Sequence, residues 1–82
     1  MEKFRNLEHL KAQVTVVRWH LDAAAGLESG EKKRRHLDSA NLTYQGAMEL
    51  LAQLALSDAD KTMIVGQLAE LKDRLRAAGQ AV

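Results

Sequence analysis

A chain of 82 residues, 46% hydrophobic and 28% charged, is long enough for one small folded domain and too apolar for a disordered one. Twelve Lys and Arg against eleven Asp and Glu leave a net charge of +1, without the positive excess that phosphate-backbone binders carry. The absence of cysteine excludes a disulfide framework and thiolate chemistry, while 13 Leu, 13 Ala, no Pro and three aromatics (Phe4, Trp19, Tyr44) favour helix over strand.

The first periodic segment covers about 2–25. Leu7, Leu10, Val14, Val17, Leu21 and Ala24 recur at alternating spacings of three and four, which predicts a helix with one heptad seam. Gly26 is placed to close it in a left-handed conformation. Glu2, Lys3, Arg5, Glu8 and Lys11 interrupt any apolar run, so neither an export signal nor a membrane span is expected, and the expected location is the cytoplasm. After a linker over 26–30, Ser29 is the expected N-cap of a second helix, with Glu31 in its first turn.

The second segment, about 31–56, carries Leu37, Ala40, Tyr44, Ala47, Leu51 and Leu54 in the same rhythm, widened by Met48, Leu50 and Ala55. A wide stripe suits a helix with two neighbours. Its expected length of roughly 39 Å predicts an overhang, and Lys33 at a seam position predicts an open, wet end beside the linker. Ser57 and Asp60 have capping-box spacing and open a third segment over about 58–78, seamed by Ile64, Leu68, Leu71, Leu75 and Ala78. A Glu70–Arg74 ion pair is expected along it, Gly79 as its stop, and a frayed tail over 80–82. Short connections make consecutive helices antiparallel. The predicted fold is therefore all-α, an up-down-up three-helix bundle with coiled-coil-like heptad seams, forming a single domain over 1–82.

Catalytic chemistry has little to work with. His9, His20 and His36 include no pair at i, i+4, and His20–Asp22 and His36–Asp38 are spaced to opposite sides of a helix. All three read as surface histidines, and no catalytic residue, metal ligand or cofactor site is expected. The run Lys32, Lys33, Arg34, Arg35, His36 spreads around a helix start, where Glu28–Lys32 and Glu31–Arg35 pairs would neutralise it. Together with Arg18 it forms the candidate contact for nucleic acid or another polyanion, without nearby aromatics for base stacking.

The first helix carries a second apolar stripe. Ala12, Val16, Trp19 and Ala23 lie opposite the Leu7–Leu21 seam, and one helix face cannot serve both. This stripe is the candidate partner interface. Ser39, Leu42 and Gly46 form a small and apolar strip on the second helix, with Leu42 and Gly46 added to that interface. Gly46 and Gly66 come to the same height when reflected through the turn near 57, which predicts either a close backbone approach there or two glycines that the helices merely tolerate.

The segment Tyr44-Gln45-Gly46-Ala47-Met48-Glu49-Leu50-Leu51 resembles the Tyr-x-x-Ala-x-x-Leu pattern of tetratricopeptide-like and microtubule-interacting-and-trafficking helical hairpins. The resemblance covers about half the chain, implies helix packing, and carries no functional residue; no 34-residue repeat is visible. The expected function is non-enzymatic protein binding, as an adaptor or regulator that self-associates as a homodimer through the first helix. The alternative is a small polyanion-binding regulator.

Overall fold

The computed structural model describes the backbone of residues 2–82 and the side chains of residues 7–82. Three helices run up, down and up: α1 (Glu2–Ala25), α2 (Glu31–Gln53) and α3 (Asp58–Ala77), with no strand among the described residues. The molecule measures 42 × 20 × 17 Å. A 24-residue helix is about 36 Å long, so the long dimension is that of helices lying side by side. None of them is long and apolar enough to cross a membrane.

Helix ends follow local chemistry. Ser57 caps α3, its Oγ accepting from the Asp60 N–H at 3.2 Å, with Asp58 and Asp60 in the first turn. Gly79 (φ 90°) ends α3 in a Schellman arrangement: the Gln80 N–H reaches the Leu75 carbonyl at 2.9 Å, and the Gly79 N–H reaches Arg76 at 3.0 Å. The 26–30 connection departs from expectation. Gly26 does not enter the left-handed region, and α1 closes through Gly26 N–H to Asp22 and Leu27 N–H to Ala24. The N-cap of α2 is Gly30, not Ser29; its φ of 145° and ψ of −177° are open essentially only to glycine, and no side chain caps the helix.

The second helix stops three residues before its expected end. Leu54 is already extended (φ −92°, ψ 139°), and the alternation of an extended chain brings both Leu54 and Leu56 against the core. With 23 residues against 24 in α1, α2 has no extra length to overhang. The bundle is still open beside the first loop. Leu21, Ala24, Ala25, Leu37, Ala77 and Ala78 line an apolar hollow there, with Lys33 and Arg74 at its rim.

The core is the predicted seam. Leu10, Val14, Val17, Leu21 and Ala24 from α1, Leu37, Ala40, Tyr44 and Ala47 from α2, and Ile64, Leu68, Leu71 and Leu75 from α3 are all buried. Of the expected seam positions, Leu7, Leu51 and Leu54 are only half-buried and Ala78 is exposed; Met48 and Ala55 are exposed too, which makes the α2 stripe narrower than its composition. α1 and α2 approach each other much more closely than either approaches α3. Side-chain size accompanies the asymmetry: α1 and α2 contribute the fully buried alanines Ala24, Ala40 and Ala47, whereas the buried residues of α3 are all leucine or isoleucine.

Three further expectations are corrected. Gly66 faces open space and Gly46 meets only the Gln13 side chain, at ordinary contact distance, so no close α2–α3 approach exists at the glycines. Arg74 pairs with Asp22 of α1 at 2.8 Å rather than with Glu70, because the longer-range partner lies on the side facing the bundle. The tail is docked, not frayed. Gln80 accepts a 2.9 Å hydrogen bond from Asn41, and Val82 packs against the core while its carbonyl accepts from Arg76 Nε.

Candidate functional site

The seam faces inward and the second stripe of α1 does not. Ala12 is exposed, Val16 is 41% exposed and Trp19 60%, while Ala23 is half-buried. The rotation of the helix that buries Leu10, Val14, Val17, Leu21 and Ala24 leaves these four residues outside the core. On α2, Leu42 is 71% exposed and Gly46 is half-buried beside Gln13 of α1.

Trp19 does not stand alone. Its ring meets His20 edge-on at 4.8 Å between centroids and His36 edge-on at 5.6 Å, so one indole touches imidazoles from two helices. The two imidazoles meet each other through Nδ1···Nδ1 at 3.0 Å. For that contact to be a hydrogen bond, one ring carries its proton on Nδ1 and the other presents a bare Nδ1 lone pair. Burial, and secondarily the neighbouring His36, hold His20 below the ordinary histidine value of 6.5. No carboxylate forms an ion pair with either ring among the described residues.

His20 and His36 are thus a half-buried pair and not two separate surface histidines. Intrahelical spacing cannot reveal such a contact. A signal was present all the same: the two positions are equidistant from Glu28, at the middle of the 26–30 turn, and an antiparallel hairpin brings equidistant positions to one height.

The basic run does not gather into one patch. His36 turns to α1, and Lys33 is half-buried at the rim of the end hollow. Arg35 pairs with Glu31 at 3.0 Å and Arg34 approaches Asp38 at 4.0 Å; the expected Glu28–Lys32 pair is not formed, Glu28 belonging to the loop. Lys32 is exposed. Arg18 lies one turn before Asp22, on the flank of α1 that reaches α3, apart from the run. Among the described residues, no group of three or more His, Cys, Asp or Glu side chains is positioned to hold a metal ion.

One polar atom at the α1–α2 contact is anomalous. Gln13 Oε1 is buried without a hydrogen-bond partner, beneath the stripe and beside Gly46. Comparison of the chain with protein-family models, with curated proteins and with solved structures finds no match.

Proposed function

We propose that this chain acts by binding protein, with no catalytic chemistry of its own, and that its first partner is a second copy of itself meeting it along the outer face of α1. The carrying observation is Trp19, a large aromatic left 60% exposed on a rigid helix and braced by two imidazole rings. Val16 and Ala12 continue the apolar surface toward the N-terminal half of α1. Exposed, pre-ordered tryptophans are the residues that anchor interfaces, because they bury much area and lose little side-chain freedom. The proposed role is that of an adaptor or regulator, and the proposed setting is the cytoplasm.

Sedimentation equilibrium tests this reading. The wild-type chain is expected to run as a dimer, and Trp19→Ala with Val16→Ser as a folded monomer of unchanged helicity, since neither residue belongs to the buried seam. A wild-type chain that stays monomeric at high micromolar concentration overturns it. The second reading, contact with a polyanion through Lys32, Arg34 and Arg35, is supported by their exposure. It predicts binding that weakens steeply with salt, which an apolar interface does not.

A further inference from the structure

We propose that the channel between α2 and α3 is a separate docking surface, for a short amphipathic helix with acidic residues along one flank. The channel follows from the spacing of the helices. With leucine and isoleucine between them, α2 and α3 stand further apart than α1 and α2, leaving a shallow apolar groove over a buried core. Tyr44, Leu51 and Leu68 form its floor, and Met48, Val65 and Ala69 its walls; Met48 is 41% and Val65 44% exposed. Toward the α2–α3 connection the apolar lining continues over Ala52, Leu54 and Leu56.

The cations that line the channel come from one side. Lys72 and Lys61 border the two halves of the channel, both from α3, and no carboxylate lines either half. Neither lysine has an ion-pair partner among the described residues. Along the helix they are separated by roughly 16 Å, at 1.5 Å per residue, or about three turns. Arg76 follows Lys72 by one turn along α3. On the facing edge of α2, Gln45 donates to Asn41 at 2.8 Å, with the carboxylates of Asp38 and Glu49 one turn to either side. An apolar floor three turns long with cations on one rim matches a helix that presents apolar residues at i, i+3, i+4 and i+7 and glutamates beside them.

The far end of the same side already holds a peptide segment. Gln80 bridges to Asn41 and Asp38 of α2, and Val82 packs on the core with its carbonyl on Arg76. A stretch of this chain thus uses the arrangement inferred for the rest of the channel, an apolar side chain inward and an acceptor on an α3 cation. The stripe proposed for self-association lies on α1, so the two surfaces are independent.

A labelled 15-residue synthetic helix with leucines at the four spaced positions and glutamates on the flank is the probe, read by fluorescence anisotropy. Its twin carries lysines in place of the glutamates. The glutamate peptide is expected to bind at least about tenfold more tightly than the lysine twin. Lys61→Glu with Lys72→Glu, two substitutions outside the core, should invert that order, and Val65→Glu should abolish binding of both. Trp19→Ala should leave the affinities unchanged, which separates this proposal from the α1 reading. Equal binding of the two peptides, or an order that the double substitution fails to invert, overturns the proposal. Loss of binding in Trp19→Ala overturns it too, by placing the peptide on α1, and self-association abolished by Val65→Glu would do so by making a second copy the occupant.

Discussion

α1 and α2 bring buried alanines to the core and pack closely, whereas α3 brings only leucine and isoleucine and stands further off, two opposite solutions to one packing problem. Ala24, Ala40 and Ala47 let two backbones approach closely, so that side chains outside the seam, such as His20 and His36, meet across it. Ile64, Leu68, Leu71 and Leu75 hold α3 at a distance and fill the gap with apolar volume. The first contact depends on shape and excludes any larger residue. The second depends on buried area and leaves an open channel at its edge.

Exchanging residue size between the two interfaces gives the largest expected effects. Leu71→Ala should cost about 2–5 kcal/mol, through lost burial and a cavity that leucine neighbours refill poorly, read as a lower denaturant midpoint. Ala47→Leu, an enlargement at a fully buried site, should cost about 1–3 kcal/mol and part α1 from α2. If Ala47→Leu proved neutral, the close approach would not be a packing constraint. A smaller effect of opposite sign is expected at Gly66. Its Cβ would meet nothing within 4 Å, so Gly66→Ala should stabilise by about 0.5–1 kcal/mol through helix propensity alone.

The smallest effect sharpens the comparison at the histidine pair. Because His20 is held below 6.5 in the folded chain, the unfolded chain binds the proton more readily. Its contribution to stability is therefore fully present above 6.5 and is lost as pH falls through that value toward the lower folded one. Thermal unfolding of the wild type and of His20→Gln, compared across this range, should show the wild type losing more stability on acidification. Parallel curves would mean that the pair is not coupled to folding.

The seams were legible because burial and helical period coincide: the buried residues of α1 and α3 lie at the positions that spacing picks out. Ser57 and Gly79 were legible because each acts through its immediate neighbours. Leu54 was misread, since an apolar residue in helical register looks the same whether the backbone is helical or extended. Ser29 lost the cap to Gly30 for a backbone reason that side-chain preference does not encode. At the candidate site, the exposed stripe followed from having two apolar faces on one helix, but the company of Trp19 did not. His36 read as the end of a basic run because its partner lies on another helix.

The closely packed hairpin also bears on the order of assembly. α1 and α2 are joined by five residues and α2 and α3 by four, so either hairpin closes a short loop at small entropic cost, whereas the contact between Arg74 and Asp22 spans 52 positions. Helical hairpins of this kind give a low mean sequence separation of contacts and fall among rapidly folding topologies. Of the two hairpins, the more closely packed α1–α2 pair gains more contacts for that cost and is expected to form first, with α3 docking onto it.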